Sequence, residues 1–594
     1  MKNFFNKFAN KENNEKLLYA CLNGDLNLVK YSVKHGANIN KNIKDITPFI
    51  VACGKGNIDI VKYLVEHGAK IDKECKVDGT TPLYVACAEG HITVIQYLIE
   101  HGAVVNKECH DGRTPLIEAC FNGKKDIVKY LVEHGADINK RDKNGFTSLY
   151  VACQNGHIPV VKYLVEHGAD ISNKSRDGST PLHNACRSGH ITVVKYLVEK
   201  GADIDIQNNN NTTPLMLACF KGNEDIAKYL VEHGADVNKK DKIGSTAIMR
   251  ACCEGHKNTV KYLIEHGAYI NIKMSDGQTP LHLACKYGHE DTVKYLVEQG
   301  AEIDKEDDAG ATPFYFACEK GHYEIVKYLL EHGVDINKGD ASGLTALLFA
   351  CEKGYITIVQ YLVEHGADMN KGDNVGATPF YVACYEGHYE VVKYLVEHGA
   401  DINKERDGGF TPLFIACQNG HIKVVKYLVE QGADISKGID DGSTPLYIAC
   451  EKGHIEVVKY LVEQGADINK EMNIGCTPLY VTCGEGHLTV VKYLVEHGAD
   501  INKENNFDGA TPLYMACRNG YTDIVKYLVD HGADVNKKTK FGVTPLFMAS
   551  YNRYNNIVNY LVKHGAEKGN PGLNKELLGG LVDAKRKIYV VYNN

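Results

Sequence analysis

Cysteine and histidine are the residues of this 594-residue chain with the most chemistry to offer, 20 of the first and 26 of the second. They recur together. Cys87 and His91, Cys153 and His157, Cys318 and His322, and Cys450 and His454 each stand four residues apart. On one unbroken helix that spacing would put a thiolate and an imidazole on one face, the beginning of a zinc site. A glycine falls between the two residues of each of these pairs and ends the helix. Each pair would also supply two ligands where a structural zinc takes four. No C-x-x-C occurs, so neither a metal nor a cofactor is expected.

Sixteen of the cysteines hold one register: Cys21, Cys53, Cys87, Cys120, Cys153, Cys186, Cys219, Cys252, Cys285, Cys318, Cys351, Cys384, Cys417, Cys450, Cys483 and Cys517. Helices that stack sit ~8–10 Å apart, and a disulfide needs Cα atoms within ~7 Å. The register cysteines therefore read as small buried hydrophobes. Cys75, Cys109, Cys253 and Cys476 lie off register. Cys75, Cys109 and Cys476 fall in the connections between units, where exposure is expected. The pairs Asp111-Gly112, Asp177-Gly178 and Asp441-Gly442 are turn formers rather than carboxylate dyads. No nucleophile elbow, P-loop, kinase signature or H-E-x-x-H appears, and no unrepeated segment is long enough for a catalytic domain. The chain is not expected to be an enzyme.

The elements that carry these residues are copies of one unit, GSTPLYIACEKGHIEVVKYLVEQGADINK at 442–470. Thr444 suits an N-cap and Pro445 the first helical position. Leu446, Ala449 and Cys450 share a face of the first helix, which Gly453 ends. Ile455, Val458, Leu461 and Val462 form the stripe of a second helix, with Val457 beside it, and Gly465 stops it. Such a unit cannot bury its own apolar face and must stack on a neighbour.

The period is 33 residues. With its G-x-T-P-L opening, its A-C, its G-H and its closing G-A-D-I-N, the unit resembles the ankyrin repeat. The resemblance implies an all-α solenoid of stacked antiparallel helix pairs with β-hairpin-like fingers. It also implies that His91, His157, His322 and His454 cap the second helix, and that His183 and His282 bond finger backbone. Tyrosines at that last position, such as Tyr84, are expected to keep that bond. The exit asparagines, such as Asn139 and Asn469, would accept hydroxylation as in similar repeats.

In domain terms, 1–12 is a leader, 13–569 the repeat array, and 570–594 a C-terminal helical cap or tail. The first copy, 13–42, and the last, 544–569, act as caps, giving about 17 copies in all. Copies after the first begin at threonines from Thr47 to Thr544, spaced by 33 except for Thr47 to Thr81 and Thr477 to Thr511. Both extra residues fall in fingers, near Cys75–Val77 and Asn505–Phe507, and leave the helices untouched. Pro gives way to Ser148, Ala247 and Ala346. Asn211 and Arg553 stand where a turn glycine is usual.

Net charge is −8 with Lys and Arg spread evenly, so no nucleic-acid footprint is expected. No apolar run is long enough to span a membrane, and MKNFFNKFANKE lacks the apolar core of a secretory signal. A monomer in the cytoplasm or nucleus is expected.

Function must then lie in what the unit leaves free. The resemblance implies partner contact at the finger tips and the solvent side of the first helix. Residues there of the kind that dominate interfaces are Arg113, Phe121, Phe146, Arg187, Phe220, Tyr287, Tyr385, Phe410, Arg518 and Phe541. The expected function is a non-catalytic scaffold or adaptor that binds one or more proteins along the concave face. A substrate-receptor subunit of a ubiquitin-ligase-type complex and a mechanical spacer stay open. A ladder of tyrosines, Tyr31 to Tyr560 at one site of each second helix, is expected to pack between neighbouring second helices.

Overall fold

The computed structural model describes residues 2–43 and 45–567. The expected C-terminal element at 570–594 lies outside them. Among the described residues there are 34 helices and only isolated β-bridges. The chain divides into two compact units, Met1–Ala309 and Gly310–Asn594, and each is a row of helix pairs. The first helix, Lys2–Asn23, takes in residues 2–12 and runs on into the first copy.

The unit at 442–470 folds as its residues dictate. Thr444 Oγ1 accepts from the Tyr447 N–H at 3.2 Å, and Pro445 opens a helix that ends at Lys452. Gly453 closes it at φ +76. The second helix is Ile455–Glu463. Leu446, Ala449 and Cys450 are buried, as are Val457, Val458 and Leu461. Ile455 and Val462 are only half-buried, so the buried stripe is centred on Val457 and Val458 rather than running from 455 to 462. Where Pro is replaced, helices Ser148–Gln154, Ala247–Glu254 and Ala346–Lys353 still form, because the packed face outweighs one pre-set φ.

Between the helix pairs the chain turns back on itself as a short finger. In a typical one, the Asp142 N–H donates to the Phe146 carbonyl and Gly145 N–H to Asp142, each at 3.0 Å. Neighbouring fingers are joined by single bonds, such as Lys143 N–H to Asp111 and Arg176 N–H to Asn144, both 2.9 Å. The two inserted residues lengthen the turn and spare this ladder. Cys75 N–H reaches Thr80 and Asn505 N–H reaches Ala510, at 2.9 and 3.0 Å.

Adjacent copies are also clipped by the exit asparagine. Asn139 Nδ2 donates to the Gly168 carbonyl at 3.1 Å while its Oδ1 accepts the Asp170 N–H at 3.0 Å. Asn106, Asn238, Asn469 and Asn536 repeat both bonds. One amide thus satisfies a donor and an acceptor of the next copy's backbone. An alanine there would leave both to water.

Among the described residues left-handed backbone falls mostly on glycine, with three exceptions: Asp45, Asn211 and Arg553 at φ 68, 60 and 63. Asn tolerates that region; arginine has no such local compensation, and the strain is ~1–2 kcal/mol. Arg553→Gly is expected to stabilise the last copy by about 0.5–1 kcal/mol, after the extra unfolded-state entropy of glycine is subtracted. Slower hydrogen exchange in helix Asn555–Lys563 would show it; unchanged or faster exchange would refute the strain.

Candidate protein-binding surface

The cysteine–histidine pairs do not converge on a metal. No group of three or more metal-ligating side chains occurs among the described residues. The histidines at the head of the second helix stand at the N-cap position, but their side chains do not cap it. Each ring instead reaches back to the preceding copy. His91 Nε2 donates to the Gly54 carbonyl at 3.0 Å, His157 to Phe121 at 2.9 Å, and His454 to Gln418 at 2.9 Å. Those carbonyls end a first helix, where acceptors have no intrahelical donor, and the ring finds them nearer than any amide of its own helix. The approach also fixes the glycine of the preceding turn. A Cβ on Gly123, itself at φ +69, would stand 2.5 Å from His157 Nδ1.

The register cysteines are all buried and free. Burial raises their pKa well above the ordinary thiol value, as at Cys53 and Cys186. Cys75, Cys109 and Cys476 are buried as well, contrary to the exposure expected of connecting segments. Their side chains turn inward beneath the finger. Cys476 packs with Tyr447 and Met472, and burial lifts its thiol to about 12. Burial, and then the bond that Cys109 donates to Asp111 Oδ1 at 2.6 Å, raise its thiol to about 11. Cys253 is half-buried, and burial still raises it to about 11.

At the third position of the first helix, His183 behaves as the resemblance implied. Its Nδ1 accepts the Thr180 N–H at 3.2 Å, and its Nε2 donates to the finger carbonyl of Thr212 at 3.0 Å. Tyr84, Tyr480 and Tyr381 at this place do not keep that bond. The longer Tyr84 side chain passes the finger and donates to Glu118 Oε2 on the next first helix at 2.6 Å. Tyr480 accepts from the Asn505 side chain at 2.9 Å. The buried Tyr381 hydroxyl has no hydrogen-bond partner among the described residues.

The tyrosine ladder of the second helices is mostly half-exposed, with Tyr196 buried and Tyr31 exposed, and many of its rings are stacked. Tyr130, Tyr163 and Tyr394 lie 3.9 Å, centroid to centroid, from His134, His167 and His398. Lysines of the preceding copy sit over some rings, as Lys195 does over Tyr229 at 5.5 Å. The exit histidines went unrecognised in the sequence. Each caps the end of its own helix, Nδ1 of His134 donating to the Tyr130 carbonyl at 2.8 Å. Their four-residue spacing from the tyrosine was the available signal.

The ten candidate contact residues occupy two kinds of position in the unit. Phe121, Arg187, Phe220, Tyr287, Tyr385 and Arg518 lie at or near the C-terminal ends of first helices. Phe121, Tyr287 and Tyr385 are exposed by 40, 52 and 45 %. Arg187 is exposed, and Phe220 and Arg518 are half-buried. Arg113, Phe146, Phe410 and Phe541 lie beside finger glycines. Phe541 is exposed by 43 %. The other three are half-buried and already engaged. Arg113 pairs with Asp111 at 3.1 Å and Glu118 at 3.5 Å, Phe146 stacks on Tyr150 at 4.5 Å, and Phe410 meets Phe414 edge-on at 5.5 Å. The structure does not gather the ten at one point.

Stacked helix pairs, cross-copy clips and protruding fingers define a helical-repeat protein. A family model of ankyrin repeats (3 copies) matches residues 17–109, 104–175, 172–241, 238–307, 303–373, 369–439, 436–505 and 502–571. The chain belongs to the ankyrin-repeat family, whose repeats are generally protein–protein interaction modules and typically not enzymes. Comparison with curated proteins finds no match. No helix among the described residues is long and apolar enough to cross a membrane.

Two outcomes follow from the buried groups. Burial holds His183 neutral, with its pKa pushed down to about 4 from the ordinary 6.5. Its contribution is intact above pH 6.5, where both folded and unfolded forms are neutral. It is lost as pH falls from 6.5 towards 4, by about 3 kcal/mol in full. Melts across that window should show the loss, and His183→Tyr should flatten it; a variant with the wild-type slope would refute the assignment. In the native chain a maleimide should label Cys253 first, and the register thiols only after denaturation. Rapid native labelling of Cys450 would contradict a closed stack.

Proposed function

We propose that the chain is a non-catalytic scaffold or adaptor that binds one or more proteins along the first-helix ends and finger tips. The observation that carries this is a division of labour within the unit. The recurring Thr, Leu, Ala and Cys are buried, while the one or two positions after each register Cys change from copy to copy and carry exposed Phe121, Arg187, Tyr287 and Tyr385. Aromatic residues and arginine supply most interface hot spots. Within one unit, preformed positions of this kind, such as Phe121, Arg187 and Tyr287 in Met1–Ala309, bind with little ordering cost. Twenty free cysteines fit a reducing compartment, the cytoplasm or nucleus. The chain acts as a monomer that offers these positions to its partners.

Proximity labelling of the wild-type chain should return a defined set of proteins. Changing Phe121, Arg187, Tyr287 and Tyr385 to alanine should remove members of that set without lowering the melting temperature, because all four side chains are solvent-exposed. An unchanged set would refute contact through these first-helix positions. An empty wild-type set would favour a spacer. Loss of one common partner on altering only residues 570–594 would favour a ligase-type receptor.

A further inference from the structure

In the unit Gly310–Asn594, three consecutive fingers end in a bare apolar side chain. Ile474, Phe507 and Phe541 are exposed by 43, 63 and 43 %. Equivalent tips elsewhere carry Asn144, Asp177, Asp276 or Ser342, or a single apolar residue with no apolar tip beside it, as at Val77, Ile243 and Val375. The three fingers adjoin. Asn506 N–H donates to the Ile474 carbonyl at 2.9 Å, and Lys540 N–H to the Asp508 carbonyl at 2.8 Å. Phe507 exists because of the inserted residue. Its finger closes around the insertion, with Asn505 Oδ1 accepting from the Asp508 and Gly509 N–H groups at 2.9 and 3.0 Å. The insertion therefore adds nothing to the packing of the finger, and its visible product is a projecting ring. A ring left in water gains none of the stabilisation that burial would bring, and contiguous exposed apolar groups mark contact sites.

The charge around the tips selects the occupant. Glu471 and Glu504 are neutralised by Lys503 and Lys537, both at 2.7 Å. Lys538 and Arg518 form no ion pair among the described residues, and the Lys540 ammonium meets only the neutral Asn506 carbonyl. Asp508 is buried. Around the Phe507 and Phe541 fingers the exposed surplus, Lys538 and Lys540, is positive, while the finger before Ile474 carries exposed Asp440. The chain's own residues 568–594 hold Lys568, Lys575, Lys585, Arg586 and Lys587 against Glu576 and Asp583, so they carry the same sign. A second copy would bring the same basic ridge to a two-fold contact.

The geometry points to Ile474, Phe507 and Phe541 as a ridge that docks an extended segment of another protein, apolar at its anchors and acidic between them. This rests on the scaffold reading above and names the partner's chemistry. The tips recur once per stacked copy, about 10 Å apart. A chain extended as polyproline II advances ~3.1 Å per residue with three residues per turn, so its apolar anchors fall at every third position on one face. Carboxylates between them face Lys538, Lys540 and Arg518.

The test is selection of random 16-residue peptides displayed on phage against the full chain, followed by titration of the synthetic winners. Winners should carry apolar residues at i, i+3 and i+6 with Asp or Glu between. Phe507→Ser should weaken them at least tenfold. Lys538→Glu with Lys540→Glu should do the same and reduce the salt dependence of binding. All three side chains are exposed, so melting temperatures should not move. Winners bound equally by both variants overturn the proposal. So does a wild-type chain that self-associates and loses this with Phe541→Ser, or a synthetic 573–592 peptide that outcompetes every winner. Winners lost with Tyr385→Ala but not Phe507→Ser sink the ridge and keep the scaffold reading. If the chain selects no peptide at all, both fail.

Discussion

The bond on which the stack depends runs from the imidazole at the head of a second helix to the last carbonyls of the first helix one copy earlier. Every first helix ends with acceptors that its own backbone cannot fill. His157 and His454 fill them from the next copy, and the exit asparagine does the same for the backbone that follows the second helix. A copy is therefore complete only when it has a neighbour on each side. The small Ala-Cys pair of the first helix serves the same end, since it lets the next helix approach closely enough for these side chains to reach. Where the next copy supplies a ring, the glycine that ends a first helix is doubly constrained, by its left-handed backbone and by that ring, as Gly123 is by His157.

Most of this was legible in the residues. The Thr-Pro start, the left-handed glycine and the 33-residue period mark the helices, because each states a local backbone requirement that no tertiary context needs to supply. What could not be read was where side chains go once a neighbour is present. His157 and His454 look like caps of their own helices and turn out to complete another. Cys476 looks like a loop residue open to solvent, yet the finger folds over it and Tyr447 covers it. Tyr84 seemed a stand-in for His183, but its greater length sends its hydroxyl to Glu118. In each case the deciding partner lies about one copy away, beyond the reach of local pattern.

The candidate surface was legible to a smaller degree. Position relative to the register Cys correctly marked Phe121, Tyr287 and Tyr385 as exposed. Residue type alone could not reveal that Arg113 is held by two carboxylates or that Phe146 lies flat on Tyr150. The single-residue insertions read as tolerated variation in loop length. In space they set Val77 and Phe507 out as exposed tips, at 72 and 63 %, because a longer turn with its hydrogen bonds intact has nowhere to put an extra side chain but outward.

The cross-copy clips have a consequence for how such a chain reaches its fold. The asparagine and histidine bonds join residues about one period apart, 31 for Asn139 with Asp170 and 36 for His157 with Phe121. No pairing in these clips requires distant parts of the sequence to search for each other, so loop closure stays cheap at every step. Assembly can begin at any adjacent pair and spread in either direction. Low contact order of this kind favours fast folding. A defect in one copy then acts as a local stop to propagation, with the copies on either side still able to form.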